Sequence, residues 1–321
     1  MTQVATLSSA VFADAFHAHE RFLWGLCYRL TGSAADADDL VQETFVRAIE
    51  RPPARIDAPL RPWLVRVALN LGRDLLRRRK RRAYIGPWLP SPIETGDEES
   101  PPSFEPSIDA EHTTEARYDL LESVSFAFLL ALEALTPQQR AVLLLRDVFD
   151  YSVREVADAL DMSAPNVKTT HHRARRAMHE YDRSRCIPTR ALQERTRAAL
   201  GQFVAAIAGG DVGTVEALLA DSVRAVNDAG GEYFAARVPV IGPHRVALFH
   251  HKISHRRLAD MRSEVRMING LPALVVEVSD QRHGEPPRFV LRCEVDDAGR
   301  VSRLYSVIAT RKLSAVRFDF T

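Results

Sequence analysis

Cysteine is scarce in this sequence of 321 residues: Cys27, Cys186 and Cys293 stand far apart, and none belongs to a Cys-x-x-Cys arrangement. We therefore expect reduced thiols, and neither a disulfide framework nor a zinc knuckle. Long apolar runs are also lacking, since no segment reaches the roughly 18 residues of a membrane span. The N-terminus has no cationic stretch followed by an apolar core. These absences predict a cytoplasmic protein without a membrane partner.

An excess of charge of either sign is lacking too. The 43 Lys and Arg residues nearly balance the 42 Asp and Glu residues, so the formal net charge is +1. This total argues neither for nor against nucleic acid as a partner, and the distribution of charge is more informative. With 46% hydrophobic and 26% charged residues, the chain is long enough for two or three domains.

Residues 152–178 have the pattern of two short helices around a tight turn. Ser152 and Glu155 have the spacing of a capping box, and an apolar stripe follows them. Asp161 begins the turn, Ser163 is placed to cap a second helix, and Pro165 lies in its first turn, where a missing N–H costs little. The stripe consists of Val153, Val156, Ala157 and Leu160.

The second of these helices has an apolar side and a basic side. Cations on the basic side can neutralise phosphates, and Lys, Arg, Thr and His can donate to base edges in a major groove. The residues predicted to contact DNA are Lys168, Thr169, His172, Arg173 and Arg176. An ordinary helical hairpin with a solvated basic face is the alternative. The preceding residues 135–140, with Thr136 and Gln139 at capping-box spacing, complete a pattern that resembles region 4 of bacterial sigma factors, which reads the −35 promoter element.

Two further helices are predicted before residue 51. The first has an apolar face within residues 11–30, and Ser33 with Asp36 starts the second, which continues to about Glu50. The apolar side of the second helix is formed by Ala37, Leu40, Val41, Phe45, Ala48 and Ile49. Its outer side carries Asp38, Asp39, Gln42 and Glu43. For an isolated helix, this outer side would be a solvated acidic face.

A third helix begins near Trp63 and ends in the basic run of residues 77–82. This run, the segment 28–43, the Trp63-Leu64 pair and the spacing of Asn70, Asp74 and Arg77 resemble regions 2.1 to 2.4 of the extracytoplasmic-function sigma factors. The resemblance implies that core RNA polymerase, with its β and β′ subunits, is a partner. It also implies that the acidic side of the second helix docks on the β′ subunit. It further implies that the melted −10 strand is held by the loop of residues 51–62 and by Trp63, Arg66, Asn70, Arg73 and Arg77. The alternative role for Trp63 is packing in the hydrophobic core.

Residues 84–112 are rich in Pro, Ser, Glu and Asp, which predicts a linker between two helical domains. In a sigma factor such a linker threads the RNA channel of the polymerase, and its acidic residues resemble a polyanion there. Those residues are Asp97, Glu98, Glu99 and Glu105.

About 130 residues follow region 4, enough for a further domain. Two amphipathic helices precede segments of strand character, and a helix is predicted at 245–253. The predicted strands are 223–228, 232–241, 262–268, 273–279, 288–295 and 301–309. This order resembles a SnoaL-like, nuclear-transport-factor-2-like fold with a curved antiparallel sheet, whose cone usually encloses a pocket. An unknown small molecule is therefore a candidate ligand.

Three short strings resemble the sigma-factor subgroup that carries such a domain, in which the extension regulates the sigma regions in cis. They are residues 88–92, 228–232 and 309–313. The residues that the resemblance assigns to the regulatory contact are Trp88, Pro90, Asp228, Gly230, Gly231 and Lys312. This sequence departs from the subgroup at Ser91, Ala229, Glu232 and residues 309–311, and Glu232 reverses the charge of the usual lysine.

The predicted protein is therefore multidomain: a region 2 helical bundle (1–83), a linker (84–112), a region 4 helix-turn-helix (113–186) and an α+β cone (187–321). It is expected to be an alternative sigma factor, without catalytic residues, metal or cofactor. One alternative is a ligand-responsive helix-turn-helix regulator. Another is an isomerase or cyclase fused to a DNA-binding module, in which Asp228 acts as a base near Tyr233, His250 or His251. His251 and His255 have the spacing of a zinc pair, but no third ligand is evident, and a solvated helix face is preferred.

Overall fold

The computed structural model describes residues 2–52, 59–81, 84–96, 118–254, 260–280 and 283–320, with the backbone alone at 2–15, 80 and 81. The described residues form two compact units. The first contains those of 1–83 and 101–186, and the second contains those of 84–100 and 187–321. Residues 84–96, named the connector segment below, thus belong to the C-terminal unit, although their composition predicted a separate linker. No described helix is long and apolar enough to cross a membrane.

The first unit begins with helices α1 (Thr2–Thr31), α2 (Ala34–Glu50) and α3 (Leu60–Arg81). The Ser33 hydroxyl accepts a hydrogen bond from the N–H of Asp36 at 3.3 Å, so α2 starts where its capping residue predicts. Arg79 near the end of α3 donates to the carbonyl oxygen of Thr31 at 2.8 Å and forms an ion pair with Asp36. These contacts fix α3 against the turn between α1 and α2.

The apolar stripes of these helices meet in one core. At Gly72, α3 approaches α1 so closely that a Cβ would lie 2.4 Å from Cδ2 of Leu30. Full burial of one leucine or phenylalanine side chain contributes roughly 1.5–3 kcal/mol. The core includes Leu23, Leu26, Leu30, Leu40, Val41, Phe45, Leu64 and Leu69.

The prediction that Ile49 lies on the apolar side of α2 is wrong, since this residue is 60% exposed. At 100° per residue, Ile49 lies between Asp38 and Gln42 around the axis of α2, far from the buried Ala48. Val46 is exposed as well, so the outer side of α2 combines acidic and apolar side chains.

Shorter helices complete the first unit: α4 (Phe126–Ala131), α5 (Pro137–Asp147), α6 (Val153–Leu160), α7 (Ala164–Ala177) and α8 (His179–Arg183). Both predicted capping boxes form, at Thr136 before α5 and at Ser152 before α6. Asp161 ends α6 in the left-handed conformation with φ of 53°, and Ser163 caps α7. The predicted helix-turn-helix is confirmed in α6 and α7.

Two buried arginines join the N-terminal helices to the later ones inside this unit. Arg29 of α1 donates to the hydroxyl of Ser123 at 2.7 Å and to the carbonyl of Leu120 at 2.9 Å. Arg140 of α5 donates to the carbonyl of Leu30 at 2.9 Å. Because buried guanidinium groups are costly unless their donors are used, these bonds give the contact a defined geometry.

The second unit contains helices α9 (Arg190–Gly209), α10 (Val212–Ala217) and α11 (Pro243–Ser254) and a mixed sheet. The strands are β1 (Leu219–Asp228), β2 (Val240–Ile241), β3 (Met261–Ile268), β4 (Leu271–Val278), β5 (Arg288–Val295) and β6 (Val301–Val307). Their order in the described residues is β2-β1-β6-β5-β4-β3. The expectation of a wholly antiparallel sheet is wrong, because β1 pairs with β6 in parallel. The helices and strands between β1 and β6 supply the long crossover that parallel pairing needs.

The predicted strand 232–241 is also wrong over most of its length. The chain leaves the sheet after Asp228, and Gly230 and Gly231 adopt positive φ values of 57° and 83°. Residues 229–239 then form a loop, and only Val240–Ile241 returns to pair with β1. The glycines break the extended backbone that the β-branched residues of this segment would favour.

Helices α9 and α11 pack on the sheet and bury the core of this unit. The shared core includes Leu200, Phe203, Val246, Leu291, Cys293 and Leu304. The three cysteines are not in disulfides. Burial raises the pKa of the thiols of Cys27 and Cys293 to about 12, so both remain protonated packing groups at neutral pH.

Candidate binding surfaces

The first surface is the outer side of α2. All four predicted docking residues, Asp38, Asp39, Gln42 and Glu43, are exposed there, and we name them the acidic surface. The carboxylate of Asp38 accepts a hydrogen bond from the indole N–H of Trp24 at 2.6 Å. Partial burial raises the pKa of Asp38 above its usual value, the Trp24 bond opposes this, and the neighbouring charge of Asp39 adds to it.

The second surface is on α3, where the predicted −10 residues follow one helical side. Arg66 and Arg77 are exposed, whereas Trp63, Asn70 and Arg73 are half-buried. A guanidinium nitrogen of Arg73 donates to the side-chain oxygen of Asn70 at 2.5 Å. Burial lowers the pKa of Arg73, and the nearby charge of Arg77 lowers it further. Residues 53–58 of the predicted loop 51–62 lie outside the described residues.

Arg66 also makes a contact that the sequence did not indicate. Its Nη2 lies 3.6 Å from Oδ1 of Asp161, the residue in the turn between α6 and α7. Both side chains are exposed, so this pair adds little to stability. It nevertheless shows that the −10 side of α3 and the helix-turn-helix are adjacent in the first unit.

The third surface is on α7. The five predicted −35 residues, Lys168, Thr169, His172, Arg173 and Arg176, are exposed. Val167, Ala174 and Met178 are buried on the opposite side, so the amphipathic pattern positions the basic side chains outward.

The orientation of α7 depends on Asp147, which sequence reasoning missed. This carboxylate at the end of α5 is almost fully buried and lies 2.8 Å from Nε2 of His171. It also accepts two hydrogen bonds from Arg175, at 2.8 and 3.1 Å. Burial raises the pKa of Asp147, but the bonds from His171 and Arg175 outweigh burial and hold the pKa below its usual value. Arg175 is therefore engaged within the protein.

The fourth site fastens the connector segment to the rest of the second unit around the carboxylate of Asp228. Its Oδ1 accepts hydrogen bonds from the hydroxyl of Tyr84 at 2.6 Å and the N–H of Gly230 at 3.1 Å. Its Oδ2 accepts hydrogen bonds from the N–H of Leu89 at 2.7 Å and Nζ of Lys312 at 2.5 Å. Asp228 is fully buried, so these four donors replace the water that the carboxylate loses.

Lys312 completes this anchor from the C-terminal side. Its Nζ also donates to the carbonyl of Leu89 and lies 4.5 Å from the ring centroid of Trp88. A methyl group on Gly231 would approach Ile85 to 2.9 Å, so the connector segment lies directly against the loop after β1. The structure thus brings together five of the six predicted regulatory residues, which are Trp88, Asp228, Gly230, Gly231 and Lys312. The sixth, Pro90, is buried in the connector segment next to Leu89.

A second anchor holds the other end of the connector segment, and sequence reasoning missed it. Glu94 accepts hydrogen bonds from the backbone N–H of Arg317 at 2.8 Å and from Nη1 of Arg266 at 3.1 Å. Ile93 donates its N–H to the side chain of Asn269 at 3.1 Å and accepts the N–H of Asn269 at 2.9 Å. A signal was available in the Asn-Gly dipeptide at Asn269, which is typical of a tight hairpin turn.

The departures from the subgroup strings lie in or beside the first anchor. Ser91 and Ala229 are buried, so small side chains occupy both positions. The carboxylate of Glu232 accepts the N–H of Thr310 at 3.0 Å. Two of the segments whose sequences differ from those of the subgroup therefore contact each other.

A cavity of about 690 Å³ lies between the sheet and helices α9 and α11. His250 lines it, and burial lowers the pKa of this imidazole to about 4. Asp228 does not line it, because its carboxylate is engaged with the connector segment. The hydroxyl of Tyr233 pairs with that of Thr310 at 2.7 Å. Asp228 and His250 of the isomerase alternative are therefore not brought together in the lining of this cavity.

His255 of the predicted zinc pair lies outside the described residues. Within the part of the chain that the structure describes, no cluster of three His, Cys, Asp or Glu side chains has the arrangement of a metal site.

Comparison with known proteins assigns the family. Residues 15–82 match Sigma-70 region 2, and residues 125–178 match Sigma-70, region 4. The ECF RNA polymerase sigma factor SigJ of Mycobacterium tuberculosis is 33% identical over 236 residues, which are 73% of this chain and 70% of that protein. The chain belongs to the extracytoplasmic-function RNA polymerase sigma factors. SigG of the same organism is 34% identical to this sigma factor over 265 residues, 79% of this chain and 70% of that protein.

The similarity extends to the C-terminal unit. The crystal structure of SigJ from Mycobacterium tuberculosis matches this sigma factor with a TM-score of 0.69 and 27% identity, covering 96% of this chain and all of that chain. The predicted fold class, two helical sigma regions and a C-terminal α+β domain, is confirmed. This sigma factor binds RNA polymerase and promoter DNA and directs transcription initiation.

Proposed function

We propose that this alternative sigma factor docks on the β′ subunit through its acidic surface, reads the −10 and −35 elements with α3 and α7, and is restrained in cis by its C-terminal unit. The observation that carries the restraint is the buried bonding of the connector segment to Asp228 and Lys312. The connector segment lies in the sequence between the two promoter-reading regions.

The side-chain chemistry of α2 supports docking on a protein partner. The acidic surface is accompanied on the same side of the helix by exposed Val46 and Ile49. Exposed carboxylates favour a basic partner, and adjacent apolar side chains gain free energy when a partner covers them. A helix side that faces only solvent would gain no free energy from these two large apolar residues.

The positions of α3 and α7 support a restrained state. The −10 and −35 elements are about 25 base pairs apart, or roughly 85 Å along B-form DNA at about 3.4 Å per pair. In the first unit, Arg66 of α3 and Asp161 beside α7 are 3.6 Å apart. The two promoter-reading helices must therefore separate before they contact both elements at once.

The connector segment supplies a means to oppose that separation. While residues 84–96 remain bonded at Asp228 and Glu94, they cannot extend. The chain that joins region 2 to region 4 therefore spans a shorter distance. Polymerase binding must then overcome the contact energy of both anchors. A small molecule in the cavity would shift this balance only if it bound one state more tightly than the other.

Charge reversal on α2 tests the docking assignment. In full-length protein, Asp39→Lys with Glu43→Lys should abolish binding to purified core polymerase, because both carboxylates would then repel a basic partner. Binding is measured by co-migration in size-exclusion chromatography, and circular dichroism checks the fold. The matched control is Asp158→Lys with Glu180→Lys, which changes the net charge equally at exposed positions away from α2. If the α2 variant binds core polymerase as well as the control does, the docking surface is wrong.

A further inference from the structure

The cavity of the second unit has the properties of a built ligand site. Its volume is about 690 Å³, within the roughly 300–1,000 Å³ typical of small-molecule sites. Most of its wall is apolar and comes from α9, α11 and the sheet. The wall includes Phe203, Ile207, Phe249, Leu274, Val276 and Phe289.

Two polar side chains in this wall are buried to 97% and each has a polar atom without a partner. Among the residues that the structure describes, neither Nδ2 of Asn227 nor Nε2 of His250 has a hydrogen-bond partner. A buried donor or acceptor that is left unused destabilises the fold, so such atoms are expected where a ligand uses them. Both residues line the same cavity.

The charge of the wall restricts the ligand further. Lys252 and Glu285 are charged residues of the lining, and Lys252 is exposed while Glu285 is half-buried. His250 is neutral at physiological pH, since its pKa is lowered to about 4 by burial. An ionic ligand would have no fully buried countercharge among the described residues of the lining, so its desolvation would oppose binding.

We infer that this cavity binds an uncharged, largely apolar small molecule that carries a hydrogen-bond-accepting oxygen, such as a ketone, placed between Asn227 and His250. The amide of Asn227 donates to that oxygen, and the protonated nitrogen of the His250 tautomer with hydrogen on Nε2 does the same. The apolar body of the ligand fills the space between the aromatic side chains.

The cavity shares a wall with the first anchor of the connector segment. Asn227 and Phe234 line the cavity and also a smaller pocket that contains Ile85 and Pro87. Asp228, the next residue after Asn227 on β1, holds the connector segment. A ligand that moves this wall would alter the anchor, and this effect on transcription rests on the proposed cis restraint.

The test uses full-length protein and prodan, an uncharged naphthalene fluorophore with a propionyl ketone. We expect saturable binding with a blue-shifted emission. Asn227→Leu and His250→Phe should each weaken prodan binding by about tenfold, the effect of one lost hydrogen bond, and should leave the dimethylaminonaphthalene parent without the ketone unaffected. Equal losses for both fluorophores would overturn the placement of the oxygen.

Cavity-blocking variants locate the bound probe. Val276→Trp should abolish binding of both fluorophores, and Ile253→Trp at the exposed mouth does so with less risk to folding. Val238→Trp is the matched control, because Val238 is exposed and does not line the cavity. Thermal unfolding confirms that each variant is folded. Unchanged binding in both cavity-blocking variants, or no saturable binding to the unaltered protein, would overturn the proposal.

A separate measurement distinguishes the ligand site from the proposed function. The affinity of full-length protein for core polymerase is measured with and without saturating prodan. A changed affinity supports coupling of the cavity to the anchor. If prodan binds in the cavity and the affinity stays the same, the site stands and its coupling to the cis restraint is refuted.

Discussion

Asp228 is the residue on which the contacts of the connector segment converge. Its carboxylate uses both oxygens to accept hydrogen bonds, and its cationic partner Lys312 is also buried. A buried ion pair is weak evidence for stability in itself, because desolvation offsets much of the attraction. The loss of one partner is a different matter, since it leaves the other charge buried and uncompensated.

Asp228→Asn should therefore lower the free energy of unfolding by about 3–5 kcal/mol. The substitution removes the countercharge of Lys312 and places an amide donor where only acceptors fit. Urea unfolding monitored by circular dichroism measures the change. The control is Glu277→Gln, whose partner Arg288 is half exposed, and about 0–1 kcal/mol is expected there. Equal effects of the two substitutions would contradict the structural role of the buried pair.

At the scale of an element, one side of α7 is bonded to the rest of the protein and the opposite side is exposed. Asp147 binds His171 and Arg175 on the inner side, while Arg173 projects from the exposed side. Two arginines that are two positions apart are thus expected to differ in their roles. Arg175 is long enough to reach Asp147 from the edge of the apolar stripe, and helical periodicity alone does not predict this contact.

Arg173→Ala and Arg175→Ala should separate these roles. If Arg173 contacts a base, its loss should weaken recognition of the matching −35 element by about 1–3 kcal/mol and relax specificity at one position. Arg175→Ala should instead lower the free energy of unfolding by about 1–3 kcal/mol, because buried Asp147 loses two donors. Binding of the polymerase complex to promoters with single −35 substitutions measures the first effect, and urea unfolding measures the second. A uniform loss of affinity across all promoters would mark Arg173 as a phosphate contact.

At the scale of the whole molecule, the chain forms a helical unit that contains both promoter-reading regions and a second unit that holds part of the chain between them. The connector segment is fastened at two points, around Asp228 and around Glu94. In the proposed cis restraint, the contact energy at these points is what polymerase binding must supply before α3 and α7 separate.

Lys312→Met should therefore increase the affinity of the full-length protein for core polymerase. Each 1.4 kcal/mol of contact energy that is lost corresponds to about tenfold in affinity. A chain that ends after Thr310 lacks both Lys312 and Arg317 and should show a larger increase. Fluorescence anisotropy with labelled core polymerase measures the affinity, and promoter-dependent transcription measures the output. Arg224→Met is the control, because Arg224 is an exposed basic residue of the same unit that does not line the cavity.

The outcome that would contradict the cis restraint is an unchanged affinity in both altered proteins. Lower transcription with tighter polymerase binding would leave the restraint in place and show that the C-terminal unit has a second, positive role.

Local signals in the sequence were sufficient to predict α1, α2 and α3, the helix-turn-helix and the family. Ser33, Thr136 and Ser152 each bond to a backbone N–H three residues away, so the partner is always close along the chain. The loop after β1 in the second unit was harder to predict from the sequence. The β-branched residues in 232–241 favour a strand, while Gly230 and Gly231 turn the chain away from the sheet. Local preferences compete there, and packing decides between them.

Only the tertiary structure could assign the partners of the buried charges. Asp147 is 24 residues from His171, Lys312 is 84 from Asp228, and Leu89 is 139 from Asp228. Contacts over such separations have no periodicity or spacing that a sequence could display, because their geometry exists only after the elements pack. The parallel pairing of β1 with β6 and the place of the connector segment in the second unit have the same origin. Residue types predicted the surfaces, and long-range packing determined which side chains remain available on them.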